Sequence, residues 1–199
     1  MVVGMTQPGL RERKKAATRA ALSRAAWTML LADGLESVTP ESVSAAADMA
    51  PRTFRYHFRN REEAILDELA QQHLALADRI RERPPAEPIW DSLLAVLPPE
   101  VVRICGDRAV FATLLRVIGD DPAMLAQNLT VLEHSRISLA RVIAERAGGQ
   151  HPGTYPNLLA GVAVTAISTA VTHWALDTTG TDLAAVLHDC LQKIREGLS

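Results

Sequence analysis

Cysteine and aromatic residues are scarce in this 199-residue chain, and strand signals are almost absent. Two cysteines, Cys105 and Cys190, do not make a disulfide scaffold; both fall in apolar helical contexts and read as buried thiols in a reducing cytosol. There is no Gly-rich phosphate loop, no G-x-S-x-G elbow, no H-E-x-x-H pair and no Cys/His spacing suited to a metal. The six histidines are scattered, with no i, i+4 pair beside a third candidate ligand. No catalytic residue, metal site or cofactor is therefore expected, and an enzyme is disfavoured. The N-terminal basic run is followed by no apolar stretch, so no secretory signal is expected, and Gly4–Gly9 reads as a flexible arm.

What is present is unevenly charged. Leu10 to Arg61 carries ten Lys and Arg against five Asp and Glu, a net of +5, and the rest carries eleven against eighteen, a net of −7. A basic front on an acidic body suits a polyanionic partner for the front alone. From Tyr155 to Leu176 there is no charged residue, a length able to span a bilayer. Its Ala, Gly, Ser and Thr content, together with His173, makes insertion poor. A helix buried on nearly all sides between protein neighbours is the expectation.

Gly and Pro punctuation divides the chain into helix-length segments. Leu22, Ala25, Ala26, Met29 and Leu30 follow the spacing of an amphipathic helix, which begins near Arg11 and stops at Gly34. Thr39-Pro40-Glu41 is an N-cap, an N1 proline and an acidic first turn for a second helix, ending near Ala47. Asp48-Met49 turns, Pro51 opens a third helix, and Asn60 with Glu63 caps a fourth running to about Arg83. Arg83-Pro84-Pro85-Ala86-Glu87-Pro88 breaks the chain. Beyond it come a helix from Ile89 interrupted at Pro98-Pro99, one from Asp107 to Ile118, and a long one reaching Ala147. A turn-rich loop follows over Gly148–Pro156, then helices near Asn157–Asp177 and Asp182–Gly197. The fold class is all-α, about nine helices, with a division expected between residues 1–58 and 59–199.

The third helix carries the most specific pattern. With Phe54 at the centre of its buried face, Phe58 lies about 40° away, whereas Arg52 and Tyr56 fall nearly opposite, flanked by Thr53 and Arg55. Guanidiniums able to reach guanine O6/N7, with a hydroxyl and a phenol beside them, suit the DNA major groove. Thr39 and Arg61 lie at helix N-termini, where side chain, backbone N–H and dipole together hold a phosphate. An ordinary packed pair of helices with a solvated basic face is the plainer reading of the same residues.

Residues 11–66 resemble the N-terminal domain of TetR-family transcriptional regulators. Gly34 matches the glycine ending that family's first helix, and Thr39 the threonine capping its second. Thr53-Phe54-Arg55-Tyr56-His57-Phe58 is similar to its T-L/F-x-Y-H/Y-F block, and Asn60-Arg61-Glu62-Glu63 stands where S-K-E-E is usual. Asp48 for Gly, Ala50 for Ser, Arg55 for an aromatic and Arg61 for Lys depart from the pattern. The resemblance implies a helix–turn–helix at Pro40–His57, with Thr39, Arg52, Thr53, Arg55, Tyr56, His57 and Arg61 facing DNA.

The resemblance also implies a C-terminal ligand-binding and dimerisation domain. The last two helices would form a four-helix bundle with a second subunit, through the small residues Ala163, Ala166 and Ala170 and the stripe Leu183, Val186, Leu187, Cys190, Leu191 and Ile194. Trp90, Phe111, Arg116, His134 and Trp174 are candidates to line an effector pocket. Each also has a plainer role: core for Phe111 and the tryptophans, an internal ion pair for Arg116, a satisfied helix position for His134. The implied protein is a cytoplasmic, nucleoid-associated bacterial repressor, responsive to a small and largely apolar effector. It would bind a double-stranded DNA operator as a homodimer, without cofactor or membrane. A helical protein-interaction module without DNA function and an enzyme of unrecognised type stay open as alternatives.

Overall fold

Aspartate side chains start three of the helices seen in the computed structural model, which describes residues 9–147 and 153–197. Asp107 accepts from the Ala109 and Val110 amides at 2.9 and 3.1 Å, Asp121 from Ala123 and Met124 at 2.8 and 3.2 Å, and Asp182 from Ala185 at 2.7 Å. Each cap is worth about 1 kcal/mol against alanine. They open α6 (Arg108–Asp120), α7 (Pro122–Arg146) and α9 (Leu183–Glu196). The others are α1 (Leu10–Asp33), α2 (Pro40–Ala46), α3 (Pro51–His57), α4 (Arg61–Arg81), α5 (Ile89–Cys105) and α8 (Tyr155–Leu176). A 3₁₀ turn at Leu35–Ser37 is the one further helical element, and no strand occurs among the described residues.

The chain divides into two compact units between Glu68 and Leu69, inside α4. The division expected at residue 58 moves along the chain because the first turns of α4 belong to the first core. Ala64, Ile65 and Leu66 are fully buried, Asp67 pairs with Arg19 at 2.8 Å, and the Glu68 carboxylate accepts from Ser23 at 3.4 Å. In this first unit Leu22, Ala26 and Leu30 of α1 and Val43 of α2 are also fully buried. Phe54 and Phe58 complete the core, their ring centroids 5.5 Å apart.

In the second unit α7 packs on α8, and α9 on both α5 and α8. Contrary to expectation, α5 is not interrupted at Pro98-Pro99. Two prolines remove at most two backbone bonds, while Leu93, Val96, Leu97, Val101 and Ile104 bury along the same helix. Pro98 is itself part of that buried face, and Pro99 is exposed. At the far end of α4, Arg146 donates to the carbonyls of Ile80, Arg83, Pro84 and Glu87 and to Ser92 Oγ. One guanidinium thus satisfies the helix end and fixes the Pro-rich break that follows.

α8 departs from expectation too. It is long and apolar enough to cross a membrane by length and composition, yet fewer than half of its residues are buried. One side packs inward and the other is open, so within one chain it is not enclosed on nearly all sides. Tyr155 and Pro156, expected in a loop, begin α8, while 148–152 lie outside the described residues. The arm expected over Gly4–Gly9 also lies outside them but for Gly9, which precedes α1 as its N-cap.

Asp48 is the one non-glycine with positive φ among the described residues, at 55°. It occupies the left-handed position of the α2–α3 turn, which costs an L-residue about 1–2 kcal/mol and an Asp less. Asp48→Gly is expected to raise stability by up to about 1 kcal/mol, and Asp48→Val to lower it by about 1–2 kcal/mol, in urea titration. Equal midpoints for all three proteins would place the strain elsewhere.

Candidate nucleic-acid interface and ligand cavity

α3 is seven residues long, too short to be stable alone, and is held by what it buries. Pro51 presets its first turn, while Ala50 supplies no side-chain cap. With Phe54 and Phe58 inward, Arg52, Arg55 and Tyr56 are exposed and Thr53 is half-buried. Tyr56 is 69% exposed, with Lys15 Nζ of α1 at 5.4 Å from its ring centroid. Lys15 was missed in sequence because its meeting with α3 depends on packing.

Arg55 Nη2 donates to Glu41 Oε1 at 2.7 Å. Both side chains are more than half exposed, so the pair is worth about 1 kcal/mol or less. So weak and exposed a pair leaves the guanidinium able to exchange Glu41 for another acceptor. Arg52 has no ion pair among the described residues and is the freer guanidinium of the two.

Three of the expected contacts are committed elsewhere. Arg61 donates to the Leu35 carbonyl at 3.1 Å, to Glu62 at 2.9 Å and to Glu36 at 3.2 Å. Its guanidinium therefore clamps the 3₁₀ turn and is not a free phosphate donor. His57 is half-buried, its Nδ1 enclosed without a partner and its ring edge-on to Tyr56 at 5.1 Å. Burial first, then the charges of Arg19 and Lys15, hold its pKa below the ordinary value, which makes it a neutral packing group. Thr39 caps α2, accepting from the Ser42 amide at 3.1 Å, so its hydroxyl is occupied.

The second unit holds a cavity of about 250 Å³, open to solvent at one side. Leu76 and Ile80 of α4, Leu97 of α5, Phe111 of α6, Leu139 of α7 and Val171 of α8 wall it. Its polar groups include His73, Asn128, Ser135, Ser168 and Thr172. His73 Nδ1 lies 2.9 Å from Ser135 Oγ, which in turn donates to the Val131 carbonyl at 2.8 Å. Cys105 also lines it, and burial pushes that thiol up to about 12, so it stays protonated.

Of the five expected pocket residues only Phe111 lines the cavity. Arg116 and His134 are exposed, Trp90 is half-buried, and Trp174 is buried beneath the Arg108 guanidinium, 5.4 Å from its ring. Helical phase decides this: Ser135, not His134, faces inward on α7. His73 was missed although the signal was there, a polar residue in the apolar stripe Leu69, Leu76, Ala77 and Ile80.

The expected dimer residues divide likewise. Ala163, Ala166, Ala170, Leu183, Leu187 and Leu191 are buried inside a single chain and cannot meet a partner. Small and leucine stripes permit close helix approach, but here the neighbours approached belong to the same protomer. Val186, Cys190 and Ile194 are half-buried. The outward side of α8 carries Leu158, Thr165, Thr169, Thr172 and Leu176, all exposed, with Thr172 standing where that side meets the cavity mouth.

Residues 107–199 match the family described as the MftR C-terminal domain. The HTH-type transcriptional regulator TcmR of Streptomyces glaucescens is 32% identical over 147 residues, 71% of this chain and 65% of that protein. The match thus spans just under two thirds of the relative's length. Thermus thermophilus FadR, a TetR-family transcriptional repressor solved with lauroyl-CoA, superposes with TM-score 0.64 at 21% identity over 91% of this chain and 95% of that one. Bacillus subtilis FadR with stearoyl-CoA gives 0.60 at 16%, over 90% and 98%. At these identities the likeness to the solved structures is one of fold.

Burial holds the His73 pKa down to about 4, against an ordinary 6.5. Above pH 6.5 the ring is neutral folded and unfolded, so it makes no difference there. Between 6.5 and 4 the unfolded chain takes up a proton that the folded one refuses, so stability falls with pH through that window. The loss is expected to reach roughly 2–3 kcal/mol by pH 4.5. His73→Asn should remove that part of the slope in urea titrations from pH 7.5 to 4.5. Parallel curves for the two proteins would place the ring in contact with solvent.

Proposed function

We propose that the chain is a member of the TetR family of transcriptional regulators, a ligand-responsive repressor that binds a palindromic operator as a homodimer. The observation that carries the reading is the solvent face of α3, with Arg52, Arg55 and Tyr56 presented over a core made by Phe54 and Phe58. Thr53 adds a methyl and a hydroxyl at the rim. Two such faces, one per protomer, would enter successive major grooves about 34–36 Å apart or more. The second copy docks on the outward side of α8, with the half-buried Val186, Cys190 and Ile194 of α9 as further candidates. Leu158 and Leu176 are 65% and 77% exposed there.

The effector is an acyl chain or another largely apolar molecule held in the cavity of the second unit. Acyl-CoA in the two FadR structures supports that class. α4 supplies Leu69, His73, Leu76, Ala77 and Ile80 to the cavity, and its first turns pack in the core that holds α3. Filling the cavity displaces α4 and weakens operator binding through a coupling of about 1–3 kcal/mol. Such a repressor works in the bacterial cytoplasm on nucleoid DNA.

DNA fragments selected from the host genome by the purified protein supply the operator for the test. Affinity should fall steeply with salt, with a log–log slope of about −0.9 for each neutralised phosphate. Arg52→Ala should cost about 1–3 kcal/mol on the operator and little on random DNA. A salt-independent affinity, or an equal loss on both DNAs, would overturn the assignment of the reading face.

A further inference from the structure

Resting on the reading of the cavity as an effector site, we propose that His73 and Ser135 select an effector whose buried part is uncharged and bears a hydrogen-bond donor, a hydroxyl or phenol, which docks on His73 Nε2. Ser135 has a single hydroxyl proton, and it is given to the Val131 carbonyl at 2.8 Å. Its oxygen, 2.9 Å from His73 Nδ1, is then left to accept, which places the imidazole proton on Nδ1. Nε2 becomes a bare acceptor, and no hydrogen-bond partner meets it among the described residues. Nor is it among the wholly enclosed polar atoms without partners, so it keeps accessible surface. His73 lines the cavity, and its accessible surface is assigned to that side.

Charge is excluded by the same walls. No Asp, Glu, Lys or Arg lines the cavity among the described residues. An ionised carboxylate or phosphate drawn in beside His73 would lose its hydration without a counter-charge, which outweighs any hydrogen bond the walls offer, whereas a charge left at the open mouth keeps its water. Burial also keeps the imidazole neutral at physiological pH, so it offers an anion no positive charge. Asn128, Ser168 and Thr172 each both donate and accept, so they do not discriminate between ligand groups. Nε2 in this tautomer only accepts and is the group that chooses. The apolar body of the effector is held by Leu76, Ile80, Leu97, Phe111 and Val171.

The test uses the full chain and three probes of one shape: 4-butylphenol, its methyl ether 4-butylanisole, and 4-butylbenzoate. In calorimetric titration the phenol should bind roughly 3- to 10-fold tighter than the ether, as one neutral hydrogen bond allows, and the benzoate more weakly than either. His73→Leu should bring the phenol-to-ether ratio near one, and Ser135→Ala should shrink it by freeing the tautomer. Nitrogen-15 NMR of histidine-labelled protein reads the tautomer directly and needs neither a ligand nor a variant. Nε2 should be unprotonated, and its resonance should move when phenol is added. An ether bound as well as the phenol, a preferred benzoate, or a protonated Nε2 would overturn the inference. Operator binding is measured separately. Its failure would remove the regulator reading while leaving the probe ratio, and its persistence without phenol preference would remove only this inference.

Discussion

The guanidinium of Arg19 closes the C-terminal end of α3 onto its neighbours, and the placement of the whole reading face follows from it. It lies 4.1 Å from the Phe58 ring centroid, donates to the His57 carbonyl at 2.5 Å and pairs with Asp67 at 2.8 Å. The carbonyls at a helix end lack intrahelical partners, so this contact replaces a cap that α3 does not otherwise have. Burying Phe54 and Phe58 contributes about 1.5–3 kcal/mol each, several times an exposed ion pair such as Arg55–Glu41. Core and clamp therefore fix where α3 points, and the surface pair only pre-sets one of its side chains.

The same side chain ties α3 to a helix that continues well beyond the first unit. Asp67 and Glu63, the carboxylates nearest Arg19, sit in the first turns of α4, and His73 comes less than two turns after Asp67. α4 runs without a break from Arg61 to Arg81, and Arg146 secures the carbonyls where it ends. A cavity of about 250 Å³ walled mainly by apolar side chains leaves those walls without packing partners, so it is a place where an apolar guest has much to gain. Its position beside α4 gives that gain a mechanical outlet.

Local chemistry was legible in the sequence, and partner choice was not. Gly34, Thr39, Pro40, Pro51 and Asn60 mark helix ends through rules of backbone geometry that hold whatever packs nearby, and each stands where those rules place it. The buried pair Phe54 and Phe58 follows from helical spacing alone. The prolines of α5 misled because a local penalty was weighed without the tertiary burial that outweighs it. The pocket misled for another reason: aromatic and charged residues were picked for their chemistry, whereas facing a cavity is a matter of phase. One residue separates exposed His134 from cavity-lining Ser135. Arg61 and Arg55 show the same limit, since a sequence does not say which carboxylate a guanidinium will find.

α8 carries that lesson to the association of two chains. Its alanines were read as a docking stripe, yet Ala163, Ala166 and Ala170 let α8 approach helices of its own chain. The side left over repeats Leu158, Thr165, Thr169, Thr172 and Leu176 at steps of seven, four, three and four, which is one helical face. Lipid is a poor partner for it, because three hydroxyls and the neighbouring His173 would enter hydrocarbon. Water is no better for leucines exposed at both ends of a helix without a charged residue. A second protein face, as proposed above, would satisfy both, since threonine hydroxyls can bond their own backbone while their methyls pack, and the leucines would close the rim. In a twofold arrangement the stripe meets its own copy, so the sequence must satisfy one self-complementary pattern instead of two independent ones.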